Sequence, residues 1–207
     1  MIKYMFLLLE TIRLDNGEPS LLSLHQKRVN QSLKDLFGYT DILNLKDYIL
    51  PPDEFRNGVV KCRIFYKRYV ERVDYSMYRM KQVRSLQLVE SDAITYSYKF
   101  ADRRQLESLY ALRGDCDDVL IIRNGLVTDT TYANVAFYDG NCWLTPEKPL
   151  LEGVRRSDYL ERGIIRTARI TADDLKFFSE LRLMNAMISL EESPSISIPS
   201  ILPVKVM

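Results

Sequence analysis

Apolar and polar residues alternate in several short runs along the chain, a pattern typical of strands in an antiparallel sheet. The first run, residues 4–14, ends at an Asn16-Gly17 turn, and residues 20–22 are expected to return beside it. From Gly58 onward the alternation resumes and predicts three more strands, at residues 59–66, 71–78 and 85–89. Residues 14–89 are therefore expected to form one antiparallel sheet with helices, as a self-contained first domain.

Helical spacing interrupts this alternation. Residues 24–37 carry one apolar stripe, with Ser23 as the expected N-cap and Gly38 as the C-terminal stop. The tail from Ser193 contains three prolines, so it is expected to be an edge strand or a surface segment. The remaining predictions are helices at residues 45–49, 103–113 and 156–163, a helical turn from Asp173, and a strand at residues 180–184.

Residues 119–156 form the most informative stretch, because they predict a meander of short strands that ends in a glycine turn. Strands at residues 119–123, 126–128, 135–138 and 142–144 are separated by the hairpin dipeptides Asn124-Gly125 and Asp139-Gly140. Asp129 follows the second of these strands. At the end of the stretch, Gly153 leads into a helix-like segment with Arg155 and Arg156. Such a turn suits a phosphate, because free N–H groups and the helix dipole favour an anion.

Composition excludes some classes of function. The 207 residues carry a formal net charge of +1, so the chain as a whole does not attract nucleic acid or an anionic membrane. Its three cysteines have no metal-ligand spacing and suit a reducing compartment. The apolar start, residues 1–9, is broken by Glu10, is too short to span a bilayer and lacks a cleavage site. We therefore expect a cytoplasmic protein that does not enter membranes.

The 119–156 stretch resembles the central motif of the fold-type IV pyridoxal-phosphate enzymes, or class IV aminotransferases. This family includes branched-chain and D-amino-acid aminotransferases and 4-amino-4-deoxychorismate lyase. The resemblance implies a mixed α/β (α+β) fold with pyridoxal 5′-phosphate as cofactor, and a homodimer. It also implies two domains: a small N-terminal α/β domain, residues 1–93, and a larger cofactor-binding domain with a barrel-like sheet, residues 94–207.

Two residues match the family positions that handle the cofactor ring. Lys99, in Tyr96-Ser97-Tyr98-Lys99, matches the lysine that forms the Schiff base. Asp129 matches the acid that pairs with the pyridinium nitrogen, although the family normally has a glutamate there. A lysine taken alone is usually a solvated one, and the placement of Lys99 before the helix and the meander is what favours the catalytic role. On local grounds Asp129 could equally be an ordinary Asx turn.

Other residues match the family's phosphate contacts. Gly153, Val154 and Arg155 match the phosphate loop, with Arg155 in place of a common threonine, so the backbone donors remain but the hydroxyl does not. Arg28 matches a helical arginine that reaches the phosphate, and it could instead be a surface residue. His25, three residues before it, is expected to be structural.

The type of reaction is indicated by two short motifs. Thr11 falls where the lyases of the family have an active-site threonine. Asn185 and Ala186, in Leu183-Met184-Asn185-Ala186-Met187, resemble a strand end of aminodeoxychorismate lyases and are expected to contact the cofactor. The resemblance therefore favours a lyase that forms pyruvate and 4-aminobenzoate for folate synthesis. An aminotransferase with the same cofactor is the alternative, and a non-catalytic binding protein with the same fold is a further one.

A basic stretch allows one different interpretation. Residues 61–84 contain eight basic and two acidic residues with interleaved tyrosines. Such a composition can mark single-stranded nucleic-acid binding, but the exposed face of an antiparallel sheet is the commoner cause. Some of these cations could also receive an anionic, amino-acid-like substrate with two carboxylates. We expect no nucleic-acid partner.

Overall fold

The computed structural model describes residues 6–40 and 43–204, and the chain divides into two compact units. Unit 1 contains the described residues of Met1–Arg79 and Tyr98–Asp102, and unit 2 contains those of Met80–Ser97 and Arg103–Met207. The expected domain boundary was after residue 93, whereas residues 80–97 pack with the later part of the chain. Helices lie between groups of strands along the chain, which confirms the predicted mixed α/β fold.

Unit 1 is an antiparallel sheet with one long helix. Along the first strand the side chains alternate between the buried and the half-buried face, so that Glu10 shares the buried face with Leu8 and Ile12. The first and third strands pair from Leu8 opposite Tyr66 to Asp15 opposite Val59. The elements are β1 (Leu8–Asp15), β2 (Glu18–Pro19), α1 (Leu22–Phe37), β3 (Val59–Tyr66) and β4 (Val70–Met77), with the strands in the order β2-β1-β3-β4.

The start of α1 differs from the prediction. Residues 20–22 do not form the return strand, because the hairpin partner is the shorter β2 and the helix already begins at Leu22. Ser23 is not the N-cap. Leu21 occupies that position with φ 54°, and no side chain caps the helix. The predicted stop is confirmed: Gly38 has φ 72° and its N–H donates to the Lys34 carbonyl, a left-handed cap that glycine adopts without strain.

The other predictions for unit 1 are largely confirmed. The strand at residues 59–66 agrees with β3, and the one at 71–78 is shifted by one residue from β4. The helix predicted at 45–49 is a single 3₁₀ turn, Leu45–Tyr48. A second such turn is Asp53–Phe55. Residues 4 and 5 of the predicted first strand lie outside the described part of the chain.

Unit 2 contains two sheets that share a core. The elements are β5 (Leu86–Glu90), α2 (Arg104–Ala111), β6 (Asp118–Arg123), β7 (Leu126–Val127), β8 (Asn134–Tyr138), β9 (Trp143–Pro146), α3 (Val154–Glu161), β10 (Ile165–Ala168), β11 (Glu180–Met184), β12 (Ile196–Ser197) and β13 (Ile201–Leu202). One sheet has the order β13-β5-β6-β7, and the other has the order β10-β9-β8-β11-β12. Buried side chains of both sheets, such as Leu88, Leu120, Val135 and Phe137, belong to one cluster.

Two predictions about these sheets are wrong. Residues 85–89 do not extend the antiparallel sheet of unit 1, because β5 pairs in parallel with β6. Residues 119–144 do not form one meander, since β7 and β8 belong to different sheets. The chain passes from one sheet to the other at residues 128–133, and Asp129 lies in this crossing. The sheet change therefore sets the position of the predicted ring-binding acid.

The hairpin and tail predictions agree with the structure. Asn124 and Gly125 both have positive φ, 52° and 73°, between β6 and β7, as a type I′ turn requires. In the tail, β12 lies at the edge of one sheet and β13 at the edge of the other. Within residues 6–40 and 43–204, no helix combines the length and the apolar character that crossing a membrane requires.

Candidate functional site

Asp129 is a buried carboxylate that accepts hydrogen bonds from both sides of a loop. Its Oδ1 accepts from Nδ2 of Asn134 at 2.8 Å. Its Oδ2 accepts from the backbone N–H groups of Leu150 and Leu151, at 2.8 and 3.1 Å. The side chain thus holds residues 150 and 151, just before the predicted phosphate loop, against the start of β8.

All three of these donors are neutral, and this determines the ionisation of Asp129. Burial raises the pKa of Asp129 to about 6, although the hydrogen bonds from Asn134, Leu151 and Leu150 oppose the shift. A carboxylate can accept about four hydrogen bonds, and these donors supply three of them. A further donor with a positive charge would favour the ionised form, so Asp129 is suited to pair with a protonated ring nitrogen.

Threonines fix the crossing around Asp129. Oγ1 of Thr128 donates to the Ile121 carbonyl at 2.9 Å, and Oγ1 of Thr130 donates to the Ala133 carbonyl at 3.1 Å. Oγ1 of Thr131 donates at 2.8 Å to Oδ1 of Asp118, a buried carboxylate at the start of β6. The sequence did not single out Asp118, since an acid at a strand end has no local signal that it will be buried.

The predicted phosphate loop lies at the N-terminus of α3. The helix begins at Val154, two residues before the predicted start, and Gly153 is its N-cap without a side-chain cap. The first N–H groups of any helix lack partners within the helix, and the dipole places partial positive charge there. A Cβ on Gly153 would collide with Oδ1 of Asn134, so glycine alone fits. The turn therefore suits the phosphate of pyridoxal phosphate.

The two arginines of this turn differ in their contacts. Arg155 is half-buried, its guanidinium lies 5.9 Å from the centre of the Tyr159 ring, and its Nε has no hydrogen-bond partner among the described residues. Arg156 is buried, pairs with Glu152 at 2.6 Å and donates to the Pro146 carbonyl at 2.8 Å. Nε of Arg156 likewise has no hydrogen-bond partner among the described residues, but its two other contacts anchor the base of the loop.

Asn185 and Ala186 follow β11 in a tight turn. Oδ1 of Asn185 accepts from the N–H groups of Met187 and Ile188, at 2.8 and 3.1 Å. Its Nδ2 donates to the carbonyl of Tyr132 at 3.3 Å, which joins this turn to the crossing that carries Asp129. The structure therefore brings Asp129, Gly153 and Asn185 into one region of unit 2. Cofactor contacts by Asn185 and Ala186 stay a prediction.

Lys99 belongs to unit 1, where its backbone lies beside β1. Its carbonyl accepts the N–H of Leu9 at 2.9 Å, and the next residue, Phe100, forms a bridge with Leu8. The side chain is half-buried, and its charge is one of the effects that lower the pKa of His25. Lys99 is thus fixed close to the helical motif of Arg28. Its bond to a cofactor stays a prediction.

Glu10 is a buried acid that the sequence did not identify as a site residue. Nε and Nη2 of Arg28 donate to Oε1 and Oε2 of Glu10 at 2.9 and 2.6 Å, and Nδ1 of His25 lies 2.5 Å from Oε2. Burial alone would raise the pKa of Glu10, but the charge of Arg28 and the hydrogen bond from His25 lower it to about 2. Burial lowers the pKa of His25, so neutral His25 donates from Nδ1.

The network orients Arg28, and the alternation of β1 sets the direction of Thr11. Arg28 is held by a bidentate pair, the geometry in which a guanidinium is most constrained. The predicted phosphate contact of Arg28 stays a prediction. Thr11 follows Glu10 in β1 and therefore points to the opposite, half-buried face of the strand.

Acidic neighbours compensate part of the basic stretch. Arg63 and Arg72 both pair with Asp74, at 3.2 and 3.1 Å, and Lys67 pairs with Glu71 at 2.9 Å. The guanidinium of Arg72 also lies 4.1 Å from the centre of the Phe65 ring. These pairs neutralise part of the positive charge on the sheet itself, so they favour the exposed face of an antiparallel sheet over nucleic-acid binding as the cause of the basic stretch.

Comparison with known proteins gives matches that extend over most of the chain. The model of the family described as amino-transferase class IV matches residues 7–190. An uncharacterised Haemophilus influenzae protein is 38% identical over 185 residues, which is 88% of this chain and 98% of that protein. A solved Haemophilus somnus 129PT protein, described as a candidate 4-amino-4-deoxychorismate lyase, has a TM-score of 0.82 at 35% identity and covers 90% of this chain and 99% of its own. The aminodeoxychorismate lyase of Bacillus subtilis is 23% identical over 217 residues, 87% of this chain and 74% of that lyase.

Proposed function

We propose that this chain, which belongs to the class IV aminotransferase family, is a lyase that cleaves 4-amino-4-deoxychorismate to 4-aminobenzoate and pyruvate. Enzymes of the family are pyridoxal-phosphate-dependent aminotransferases or lyases, and the chain is one of them. The lyase assignment is supported by the name given to the Haemophilus somnus protein and by the Asn185 motif. Folate synthesis, a cytoplasmic location, a homodimer and an anionic, amino-acid-like substrate are parts of this proposal.

The observation that carries the pyridoxal-phosphate part of the proposal is the charge environment of Asp129, which a lyase and an aminotransferase would share. Its donors are neutral and its pKa is raised to about 6 by burial, so a cation at Oδ1 would stabilise the carboxylate. Pyridoxal phosphate, when bound, supplies an electron sink whose strength depends on a protonated ring nitrogen. Asp129 would hold that proton on the nitrogen. The N-terminal turn of α3, with Gly153, Val154 and Arg155, would hold the phosphate.

Proton transfer is assigned to Lys99 and Thr11. With the cofactor bound, the amine of Lys99 would take a proton from the substrate ring. Loss of that proton and cleavage of the bond between the ring and the ether oxygen of the enolpyruvyl group would make the ring aromatic. Thr11 would deliver a proton to the departing enolpyruvate, so that pyruvate and 4-aminobenzoate result. In an aminotransferase, Lys99 would instead move a proton between the substrate carbon and the cofactor carbon.

The experiment combines a spectrum with a substrate panel. Purified protein with pyridoxal phosphate is expected to show a visible band that borohydride bleaches. Lys99→Ala should abolish the band, and Lys148→Ala, at an exposed lysine, should keep it. With 4-amino-4-deoxychorismate, the expected products are equal amounts of 4-aminobenzoate and pyruvate.

Two results would contradict this assignment. Turnover of an amino acid with a 2-oxo acid, without formation of 4-aminobenzoate, would establish the aminotransferase instead. A protein that stays colourless and takes up no cofactor would contradict both reactions.

A further inference from the structure

Asn134 lies between the two groups that are expected to hold opposite ends of the cofactor. It is the first residue of β8, where it pairs with Met184 of β11 and forms an isolated antiparallel bridge with Asp129. Its backbone is therefore fixed by pairing with β11. Asp129 and the 150–153 loop, in contrast, belong to connecting segments.

The side-chain amide of Asn134 uses both N–H hydrogens on these segments. Nδ2 donates to Oδ1 of Asp129 at 2.8 Å and to the carbonyl of Leu151 at 2.9 Å. One amide thus joins the acid and the loop. An aspartate at this position would lose both donors and add a negative charge beside Asp129, and a leucine would leave two buried acceptors without these bonds.

The oxygen of the same amide limits how the loop can pass. Oδ1 of Asn134 lies in the space that a Cβ of Gly153 would occupy, so the loop reaches its position only with glycine there. Gly153 has φ −75°, a value that any residue adopts, so its backbone angle does not require glycine. The close approach of the Asn134 side chain is what requires glycine at this position.

We propose that Asn134 is a positioning residue, which holds Asp129 and the N-terminal turn of α3 as one rigid piece of the cofactor site. This proposal rests on the proposed function, because it assigns both groups to one cofactor. The hydrogen bond from Asn134 also opposes the rise in the pKa of Asp129 that burial causes. Loss of this bond should therefore keep Asp129 protonated to higher pH.

A double-mutant cycle tests the contact directly. Gly153→Ala alone is expected to weaken pyridoxal-phosphate binding by roughly tenfold to a hundredfold, because the methyl group displaces the loop. In an Asn134→Ala background the collision is gone, so the same change should alter binding by less than about twofold. Binding is read from the visible band, and the same cycle on the urea midpoint of the cofactor-free protein reports the contact without cofactor.

Thr145→Val is the matched control. Thr145 is buried in the neighbouring β9 and donates to the Val135 carbonyl at 2.8 Å, so its loss removes a buried hydrogen bond in the same sheet. In the cofactor-free protein, Asn134→Ala is expected to move the Asp129-dependent part of the stability profile to higher pH, and Thr145→Val should leave it in place. Asn134→Ser provides a second, smaller change at the same position.

Each outcome separates the positioning role from the proposed function. If the wild-type protein takes up no pyridoxal phosphate, the proposed function fails and the role of Asn134 fails with it. If the wild-type protein binds the cofactor but the cycle is additive, only the positioning role is overturned. The same holds if Thr145→Val changes binding and pH profile as much as Asn134→Ala does.

Discussion

Glu10 in unit 1 and Asp129 in unit 2 are both buried carboxylates, yet their ionisation differs. Arg28 and His25 contact Glu10, and its pKa falls to about 2 although burial opposes the shift. Asp129 accepts only from neutral donors at hydrogen-bond distance, Asn134 among them, and burial raises its pKa to about 6. Three hydrogen bonds from neutral donors, with the charge of Arg156, therefore do not compensate for the loss of water around Asp129, whereas the contacts of Arg28 and His25 do so for Glu10.

The difference separates a structural ion pair from an acid that is suited to binding. Glu10 has its counter-charge within the same unit, and its role is to orient Arg28. Asp129 has only neutral hydrogen-bond donors, and the charge of Arg156 offsets only part of the effect of burial, so an added cation in contact with Asp129 would favour its ionised form. The following experiments change one side of this comparison at a time.

The largest effect is expected from Glu10→Gln. The substitution leaves the guanidinium of Arg28 without its carboxylate, and loss of one partner of a buried pair costs about 3–5 kcal/mol in the free energy of unfolding. The measurement is urea denaturation at neutral pH. Asp15→Asn, on the same strand but with a partly exposed acid paired with Arg13, is the control and should cost about 1 kcal/mol or less. Equal losses of unfolding free energy in the two variants would show that the pair of Glu10 with Arg28 does not behave as a buried ion pair.

An intermediate effect is expected from pH in the cofactor-free protein. Between pH 4 and 6 unfolded chains lose the Asp129 proton while the folded protein keeps it, so stability decreases as pH rises through this window. The shift from 3.8 to about 6 corresponds to roughly 3 kcal/mol as an upper limit. Asp129→Asn should remove this pH dependence. Subtracting the profile of the variant from that of the wild type isolates the contribution of Asp129 from that of the other titratable groups.

Glu10 should give the opposite slope at lower pH. Its stabilisation is complete above pH 4.5 and is lost as pH falls toward 2, because the unfolded chain then binds the proton first.

Pyridoxal phosphate should flatten the pH dependence of stability that Asp129 causes, if the cofactor supplies the counter-charge. A slope that stays unchanged with saturating cofactor would contradict the pairing of Asp129 with the ring.

The smallest effect is expected from a matched pair of glycines. Gly38 in unit 1 and Gly125 in unit 2 have φ 72° and 73°, and no atom lies within 4 Å of an added Cβ at either position. Alanine at each should cost about 1–2 kcal/mol from left-handed strain alone. Similar costs in thermal unfolding would show that the units differ in their buried charges and not in their tolerance of backbone strain.

Local patterns predicted the parts of the fold that depend on neighbours in sequence. The alternation at residues 59–66 and 180–184 and the Asn124-Gly125 turn gave the correct strands and hairpin, since each depends on a few adjacent residues. The pairing of β5 was wrong because an apolar run of that length carries no signal of its partner, and its parallel neighbour begins about thirty residues later.

The same limit applies to the candidate site. Asp129 and Gly153 were predicted as site residues through a resemblance in a continuous stretch of sequence, and their cofactor contacts stay predictions. Glu10 was missed as a site residue because its importance comes from Arg28, which lies on a different element. Asn134 was missed because its contact with Gly153 exists only once β8 and α3 are in place. Burial and contacts between distant segments determined what the motif could not.

Two strands of the C-terminal tail form sheet edges: β12 is the edge strand of one sheet and β13 is the edge strand of the other. A single segment of about seven residues, Ile196 to Leu202, thus shields two rows of backbone donors and acceptors that would otherwise template the addition of foreign strands. Proteolytic removal of this segment would open both sheets at once, and the truncated chain would be prone to self-association through β5 and β11 even with every proposed cofactor contact intact.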